Sequence, residues 1–508
     1  MNVLKFLFAA PASDWIRFAG FLCGIVFFIF LAERTRTRLG WSPEVNRKLV
    51  HVMTGILVFF CPFFFISGKP LVWMAVLFAG VDFIGVETGK LKGMHGTLRK
   101  SFGTVFYPLT FLILVLTCWN GQKTVLILSM LILALADAAA AVTGENLKHP
   151  HEFRLWKDKK SLEGSAVMCL TSFLIVWMLL PRLCRLDRIV VSGAEAAWIG
   201  SVAAVAATLL EAMSAKGSDN LTSPLGAAFV LSFMLYNPTG DALRLTAGLL
   251  LGAVVAVSSL RLRFLAPSGS AAAFVLAAVL FGIGGWPWTV PILVFFISSS
   301  LLSKMGKSRK KQFEGIFEKT DTRDIGQVAA NGGTAGLLAL LSYFFPDPVW
   351  YTLHLGAVAA VNADTWATEI GVFSNTRPRS IIGLKPVPHG TSGGVTLLGT
   401  AGALLGSALV AVAGGLMAPP GSVFPVSGTV LGIVVLAGLS GSLCDSVLGA
   451  SIQAQYRCPV CGKITEKQVH CGGRATELVS GLRFMNNDWV NWICSVTGAV
   501  VLWMGMLF

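Results

Sequence analysis

The chain has 508 residues, of which 54% are hydrophobic and 13% are charged, and its mean hydropathy is +0.71. Apolar runs recur along the chain, for example at 21–32, 71–86 and 125–142, and they exclude an ordinary water-soluble fold, because about 20 apolar residues make one membrane span. The formal net charge of +14 does not indicate nucleic-acid binding, since basic residues kept on the cytoplasmic side of a membrane account for it.

These runs predict an all-α polytopic membrane protein with about sixteen transmembrane helices. The first run has no small-residue cleavage site, so we interpret it as a span and not as a signal peptide. The predicted spans centre near residues 23, 58, 79, 110, 133, 172, 204, 230, 250, 277, 295, 335, 362, 405, 438 and 498.

The distribution of Lys and Arg predicts the orientation of these spans. Alternate connections hold nearly all of the basic residues, so we expect that side to be cytoplasmic and the protein to lie in the cell inner membrane. One loop disagrees, because Arg182, Arg185 and Arg188 would face outward. Either that loop is an exception, or the span near residue 172 is re-entrant.

A turn-type sequence, Asn237-Pro-Thr-Gly240, divides the predicted spans into eight and eight. We therefore predict two membrane domains, 1–238 and 239–508, the second with a cytoplasmic cysteine-rich loop at 453–485. An even number of spans gives both halves the same orientation, which is the arrangement of a parallel repeat.

Four aspartates agree with a duplication. The separation of Asp137 and Asp219 along the chain is almost the same as that of Asp364 and Asp445. We place Asp137 and Asp364 in the fifth span of their halves, and Asp219 and Asp445 at the end of the seventh. Because a carboxylate inside an apolar helix is costly, these residues are candidate catalytic residues and Mg²⁺ ligands. Helix capping is the structural alternative for Asp219.

Each half also carries a glycine at the same short distance after its first aspartate, Gly144 and Gly371, and then a hydroxyl residue. Ser161 follows Asp137, and Thr391 follows Asp364, at similar distances along the chain. Both hydroxyls precede a predicted helix, and the exposed NH groups at a helix start bind phosphate readily. Close helix packing is the alternative role for such glycines.

The other candidate binding residues are polar groups near these aspartates or at the cytoplasmic ends of spans. In the first half they are Arg47, Lys48, Lys159, Lys160, Ser161, Glu163, Gly164 and Asn220. In the second half they are Arg323, Gln327, Asn331, Thr365, Glu369, Lys385, His389, Thr391, Gly393, Gly394 and Ser446. Topology alone explains many of the cations, and snorkelling explains Arg47 and Lys48. His51 is a further candidate catalytic residue.

Four residues in the 453–485 loop have metal-ligand chemistry: Cys458, Cys461, His470 and Cys471. CxxC in a cytosolic loop favours metal over a disulfide, so we predict a structural Zn²⁺ site. The alternative is no metal, because the spacing is short and His470 adjoins Cys471. The remaining cysteines lie singly in apolar runs, where they pack as small hydrophobes.

The first half resembles the phytol kinase and dolichol kinase family of membrane lipid kinases. The strings that carry the resemblance are Arg47-Lys-x-x-x-His51, Phe102-Gly-Thr104, Ala136-Asp-Ala-x-Ala-x-x-x-Gly144, Lys160-Ser-x-Glu-Gly-Ser165 and Glu211…Gly217-x-Asp-Asn220. This resemblance implies transfer of a phosphoryl group from CTP, or from another nucleoside triphosphate, to the hydroxyl of a polyprenol.

The second half resembles the DUF92 membrane family, which has plant members that act as phytyl-phosphate kinases. Its strings are Phe295-Phe-x-Ser-Ser-Ser, Arg323-Asp-x-x-Gln327, Asn331-Gly-Gly333, Ala363-Asp-Thr-Trp-Ala-x-Glu-x-Gly371, His389-Gly-Thr-x-Gly-Gly394, Asp445-Ser-x-x-Gly-Ala450 and Asn487…Asn491. This resemblance implies conversion of a prenyl monophosphate to the diphosphate.

Together the two resemblances predict a bifunctional isoprenoid-alcohol salvage kinase that uses Mg²⁺ and CTP at the cytoplasmic face of the lipid bilayer. Its expected partners are an isoprenoid alcohol (phytol, geranylgeraniol or farnesol), the phosphate of that alcohol and a nucleoside triphosphate, with no nucleic acid. Either His51 or Asp137 takes the hydroxyl proton. The alternatives are a membrane cytidylyltransferase that acts on a lipid phosphate and a lipid or small-molecule transporter.

Overall fold

The computed structural model describes residues 9–41, 43–88, 102–310, 322–420, 422 and 428–507. The chain folds as two compact units, Met1–Thr239 and Gly240–Phe508. Most described residues are helical, and the strands are short pairs in connections. The alternation of long apolar helices and short polar connections is that of a polytopic membrane protein.

The helices of the first unit follow the predicted spans. They are α1 (Ala12–Leu39), α2 (Pro43–Phe64), α3 (Lys69–Thr88), α4 (Gly103–Cys118), α5 (Lys123–Leu131), α6 (Asp137–Asn146), α7 (Leu162–Leu183), α8 (Gly193–Ala212) and α9 (Asp219–Tyr236). A π turn, Ile132–Ala136, joins α5 to α6, and a 3₁₀ turn, Cys184–Asp187, ends α7. The antiparallel pair β1 (Glu152–Phe153) and β2 (Lys160–Ser161) precedes α7.

The helices of the second unit are α10 (Thr239–Arg261), α11 (Pro267–Lys310), α12 (Ile325–Phe344), α13 (Val349–Gly371), α14 (Leu397–Met417), α15 (Gly428–Ser451) and α16 (Asn487–Gly505). The strands β3 (Arg379–Ser380) and β4 (Gly394–Val395) form an antiparallel pair before α14. The cysteine-rich loop holds β5 (Gln455–Arg457), β6 (Ile464–Thr465), β7 (Val469–His470), β8 (Arg474–Ala475) and β9 (Glu477–Ser480), paired in the order β6-β5-β9 and as β7-β8.

Every predicted span centre lies in a helical segment, but predicted spans and helices do not match one to one. Helices α5 and α6 and the π turn between them form one span. The spans near residues 277 and 295 form the single helix α11, which is kinked at Gly285 with φ 63° and ψ −153°. Within the described residues, ten helices are long and apolar enough to cross a membrane. The chain is therefore an all-α polytopic membrane protein, and sixteen spans is an approximate count.

Helix α7 contains residue 172 and precedes the loop whose arginines disagree with the predicted orientation. Helix α7 is 22 residues long and continuous, which is a spanning length and gives no support to a re-entrant segment. The loop after α7 has its own structural role, since Asp187 accepts hydrogen bonds from Lys123 N and Thr124 N at 2.9 and 2.8 Å. These are NH groups of the first turn of α5, which have no partner inside the helix.

One helix lies at the centre of each unit. In the first unit α5 and the π turn are almost wholly buried, and they pack against α2, α4, α7 and α9. In the second unit α13 packs against α11, α12, α14, α15 and α16. Two of the predicted catalytic residues lie next to or on these central helices: Asp137 directly follows the π turn, and Asp364 lies on α13.

Glycines allow the central helix of the second unit to approach its neighbours closely. A Cβ added at Gly498 on α16 would lie 2.3 Å from the backbone oxygen of Gly356 on α13. A Cβ added at Gly356 would lie 2.5 Å from the backbone oxygen of Gly498. Small residues at such crossings are the usual means by which membrane helices pack backbone to backbone.

We expect Gly498→Ala to separate α13 from α16 and to lower the free energy of unfolding by about 1–3 kcal/mol, because backbone atoms cannot yield as a flexible side chain can. Gly432→Ala on α15 is the matched control, since an added Cβ there has no atom within 4 Å. Thermal unfolding of the two variants in detergent measures the difference. Equal transition temperatures would contradict this account of the crossing.

Candidate functional site

Three carboxylates of the first unit converge at one end of its central helix. Asp137 begins α6, Glu211 lies in the last turn of α8, and Asp219 begins α9. One oxygen of each lies within 4.8 Å of the others. The sequence predicted Asp137 and Asp219 as a pair, but it identified Glu211 only as part of a longer string. An acid near the end of an apolar helix was the signal that could have found it.

Lys160 is the cation of this carboxylate cluster. Its Nζ donates to Glu211 Oε1 and lies 3.2 Å from Asp219 Oδ2. Burial alone would lower the pKa of the Lys160 ammonium, but the carboxylates of Asp219 and Glu211 outweigh burial and raise it. The ammonium therefore stays charged, and one positive charge faces three acids. This oxygen-only set of donors fits a hard divalent cation such as Mg²⁺.

Ser161 caps the start of α7 beside this cluster. Its Oγ accepts a hydrogen bond from Gly164 N at 3.1 Å. A Cβ added at Gly144 or at Gly164 would lie 2.8 Å from the same Oγ. The two predicted glycines therefore bring the end of α6 and the start of α7 together around one hydroxyl group.

The second unit repeats this arrangement at a residue that the sequence analysis did not select. Thr396 Oγ1 accepts from Gly399 N at 3.0 Å at the start of α14, and a Cβ added at Gly371 would lie 3.4 Å from Thr396 Oγ1. Thr396 is thus the counterpart of Ser161. The pairing of Ser161 with Thr391 was wrong, because the β3–β4 connection is longer than the β1–β2 connection.

The predicted equivalence of Asp219 and Asp445 also fails. Asp219 is the first residue of α9, whereas Asp445 lies within α15. By position, Asp445 near the end of α15 corresponds to Glu211 near the end of α8, and Asn487 at the start of α16 corresponds to Asp219. The similar spacing does not mark equivalent positions, since the connection before α14 is longer than its counterpart before α7.

The polar residues of the second unit surround a cavity of about 610 Å³. Ser442 Oγ lies 3.5 Å from Asp364 Oδ1, and Asp445 Oδ2 is buried without a hydrogen bond among the described residues. The predicted site residues that line the cavity are Asp364, Asp445, Arg323, Gln327, Asn331, Thr365, Glu369, His389, Thr391, Gly393, Gly394 and Ser446. A buried carboxylate oxygen that faces a polar cavity fits a cation or a hydrogen-bond donor.

Two of these residues also hold the wall of the cavity in place. Arg323 donates to Ser299 Oγ at 3.0 Å, and its guanidinium lies over the ring of Phe295. Gln327 N donates to Asp324 Oδ1 at 3.0 Å in a capping box at the start of α12. A half-buried guanidinium beside a polar cavity is suited to recognise phosphate or carboxylate.

Four predicted residues do not reach either site. Lys48 pairs with Glu145 at 2.7 Å and Lys159 pairs with Glu152 at 2.6 Å. Glu163 accepts from His151 N at the edge of the loop. Lys385 is exposed and is absent from the described lining of the cavity. The two lysines are therefore paired with acids outside the site, Glu145 at the end of α6 and Glu152 in β1.

Arg47 and His51 lie on α2, one turn apart, at the polar end of a separate groove in the first unit. The ring of Tyr107 on α4 lies 4.5 Å from the ring of His51, and Tyr107 OH donates to His51 O at 3.3 Å. His51 is therefore held against α4, and Arg47 and His51 both lie next to the carboxylate cluster and not within it.

The chain is similar to known membrane proteins. The model of the integral membrane protein family DUF92 matches residues 250–499. The protein PGR of Arabidopsis thaliana is 31% identical over 280 residues, which cover 50% of this chain and 93% of that protein. A phytol kinase of Synechocystis is 30% identical over 204 residues, which cover 40% of this chain and 84% of that protein. The chain belongs to the phytol kinase-like and DUF92 integral membrane proteins.

Other comparisons agree with this family. A probable chloroplastic phytol kinase of Triticum aestivum is 29% identical over 221 residues, which cover 39% of this chain and 70% of that protein. No solved structure matches the chain.

The residues matched by the DUF92 model include the cysteine-rich loop. This loop contributes residues to the cavity that the sequence analysis missed. Gln453, Glu466 and Lys467 line the 610 Å³ cavity. Glu466 Oε1 accepts from Ser392 Oγ at 2.8 Å and from Gln453 Nε2 at 2.9 Å. The pairing of the loop strands brings these residues to the cavity, and residue spacing along the chain does not indicate this contact.

The four predicted zinc ligands of the loop are brought together. Their donor atoms lie within 4.8 Å of one another, with His470 Nδ1 3.6 Å from Cys461 Sγ and 3.2 Å from Cys471 Sγ. A hydrogen bond from the backbone of Cys461 lowers the pKa of Cys458 to about 6, so this thiol is readily ionised. Cys471 adopts a left-handed backbone conformation with φ 41°. This turn lets the adjacent side chains of His470 and Cys471 both reach the other two ligands.

Asn220, a predicted binding residue, has a structural role. It is buried, its Nδ2 donates to Gly103 O at 2.7 Å, and its own carbonyl accepts from Thr110 Oγ1 at 2.7 Å. These bonds join the start of α9 to α4, and so they place Asp219 in the carboxylate cluster.

We expect Asn220→Ala to lower the free energy of unfolding by about 1–3 kcal/mol, because the Nδ2 donor to the buried Gly103 carbonyl is lost. Thermal unfolding in detergent measures the loss. Asn146→Ala is the control, since Asn146 is exposed and bonds within its own helix. A variant with unchanged stability would return Asn220 to the ligand-binding residues.

Proposed function

We propose that this protein is a bifunctional isoprenoid-alcohol kinase that makes a prenyl monophosphate in its first unit and the diphosphate in its second. One observation carries the proposal: each central helix has an aspartate beside a second acid and beside a hydroxyl-capped helix start. Phosphoryl transfer needs such positioning and charge more than it needs covalent chemistry. The names of the phytol kinase relatives support a kinase function.

In the first unit, the hydroxyl oxygen of the alcohol attacks the terminal phosphorus of a nucleoside triphosphate, for which we propose CTP. The new O–P bond forms as the bond to the β-phosphate oxygen breaks, and the nucleoside diphosphate leaves. The hydroxyl proton passes to His51 or to Asp137. Lys160 and the NH groups at the start of α7 face the phosphate oxygens.

Asp137, Glu211 and Asp219 are the residues that would hold Mg²⁺ in the first unit, and Asp364 and Asp445 would hold it in the second. Bound there, the ion neutralises charge on the phosphate oxygens. Asp445 Oδ2, buried and without a hydrogen bond among the described residues, supports this role.

In the second unit, an ionised oxygen of the prenyl monophosphate attacks the terminal phosphorus of a second nucleoside triphosphate, and the nucleoside diphosphate leaves. No hydroxyl proton has to be removed in this step. Arg323 and Lys467 line the cavity and supply positive charge for two phosphate-bearing substrates. A polar cavity of about 610 Å³ has room for such head groups.

We propose that the cysteine-rich loop binds one structural Zn²⁺ through Cys458, Cys461, His470 and Cys471, at the cytoplasmic face. Three thiolates and an imidazole are a common structural zinc set. The metal would hold the hairpins that bring Glu466 and Lys467 to the cavity.

Asp137→Asn and Asp364→Asn test the two-step reaction in purified protein with Mg²⁺, radiolabelled CTP and geranylgeraniol. We expect wild type to form the diphosphate. Asp364→Asn should stop at the monophosphate, and Asp137→Asn should use only supplied monophosphate. Each affected step should fall by at least about 100-fold, because even outer-shell partners of a metal ligand are worth 10–100-fold.

Asp347→Asn is the control, since Asp347 is exposed and its Oδ1 accepts a hydrogen bond from Val349 N, away from both sites. Thin-layer chromatography of the products also separates the alternatives. Release of pyrophosphate with CMP joined to the lipid would identify a cytidylyltransferase instead. No label on any prenol or prenyl phosphate with any nucleotide would refute the kinase function and leave transport.

Cys458→Ser and Cys471→Ser test the zinc site. Wild type should contain about one Zn²⁺ per chain, and each variant should lose most of it, because a structural site needs all four ligands. Elemental analysis of the purified protein measures the metal, and limited proteolysis of the 453–485 loop measures its order. Cys23→Ser, an exposed cysteine of the first unit, is the control. Zinc-free wild type, purified without chelator, would exclude the site.

A further inference from the structure

An apolar groove of about 390 Å³ in the first unit has no assigned role so far. Helices α1, α2, α3 and α4 form its walls. The apolar residues that line it include Phe21, Ile29, Leu57, Val58, Phe78 and Phe111. Such walls fit the chain of a lipid and offer little to a polar ligand.

The groove is polar at only one end. This end is formed by Arg47 on α2, Asp82 on α3 and Thr104 on α4. The groove then follows α2 from Arg47 to Cys61, which at 1.5 Å per residue is about 21 Å. A ligand that fits it is therefore long and apolar, with one polar end.

The groove opens toward the surface of the unit between α1 and α3. Val26, Leu77 and Val81 line it, yet they are 55%, 45% and 46% exposed. Helix α1 buries little of itself, with only Asp14, Ile25 and Ala32 buried. In a membrane protein these exposed apolar side chains meet lipid, so a ligand can enter sideways from the bilayer.

The polar end adjoins the carboxylate cluster. Arg47 interacts electrostatically with Asp137. Helix α2 packs closely on the π turn before Asp137, where a Cβ added at Gly55 would lie 2.2 Å from Ala134 Cβ. The groove therefore ends where the first reaction is proposed to occur.

We propose that this groove holds the isoprenoid chain of the alcohol acceptor, with the hydroxyl at Arg47 and His51 and the far end at Cys61. This inference rests on the proposed function, and it adds the residues that determine how long an acceptor chain can bind. Thr54 on α2 lies part-way along the groove, so the space beyond it is needed only by longer acceptors.

Charge favours an alcohol over a bilayer phospholipid. The polar end and the adjoining cluster hold four acids (Asp82, Asp137, Glu211 and Asp219) against two cations (Arg47 and Lys160). A phospholipid would bring its phosphodiester to this excess of negative charge, where like charges repel. A neutral hydroxyl meets no such repulsion.

The experiment uses the full chain in nanodiscs with geranylgeraniol that carries a diazirine at its hydrocarbon end. We expect labelled peptides from α1, α2 and α3, and competition by unlabelled geranylgeraniol. Thr54→Trp should lower kcat/KM for geranylgeraniol relative to geraniol by at least about tenfold, because even one misfitted methylene in an apolar pocket is worth that much. Phe60→Trp, which is exposed on the same helix and outside the groove, should leave the ratio unchanged.

The outcomes separate this inference from the proposed function. Competable labelling in the groove without phosphoryl transfer would support the groove and refute the kinase. Normal kinase activity with labelling elsewhere, and with Thr54→Trp indistinguishable from Phe60→Trp, would overturn the groove and leave the kinase intact. Labelling of the groove by a diazirine phospholipid that geranylgeraniol cannot displace would also overturn it.

Discussion

The cost of holding carboxylates inside a membrane helix is the constraint on which each unit depends. Asp137 directly follows the most buried helical segment of the first unit, and Asp364 lies on the most buried helix of the second. Burial of an acid is tolerated only with compensating partners. The surrounding elements provide them: a loop with a cation or a hydroxyl, a capped helix start, and glycines that let these parts approach. The helices with lipid-facing surfaces then form around this polar centre.

The two units compensate the charge differently. In the first, Lys160 enters the cluster and binds two acids directly. In the second, Ser442 contacts Asp364, and the acids face a larger polar cavity that the cysteine-rich loop helps to close. A centre whose acids are already partly offset by a lysine suits a neutral acceptor, whereas a large polar cavity with its own cations suits an acceptor that already carries phosphate. This contrast agrees with the order of the two proposed reactions.

Apolar runs predicted where the helices lie, because hydrophobic length is a local property of the sequence. The aspartates were also recognisable, since an acid in such a run is costly wherever the chain folds. The equivalences of Thr391 and Asp445 failed because spacing adds up helix and loop lengths, and the loops differ between the units. The groove and the position of Lys467 at the cavity could not be predicted, since segments far apart in the chain come together at each.

Because of the π turn at Ile132–Ala136, the direction of Asp137 does not depend on how helix α5 packs. A π turn holds one residue more than an α turn, so it rotates everything that follows by about 100° relative to a continuous α-helix. Helix α5 can thus keep its buried apolar packing while Asp137 points to the cluster. Helix α13 is continuous across Asp364. The two central helices therefore bring their aspartates to the site by different local geometry, one through a π turn and one within a continuous α-helix.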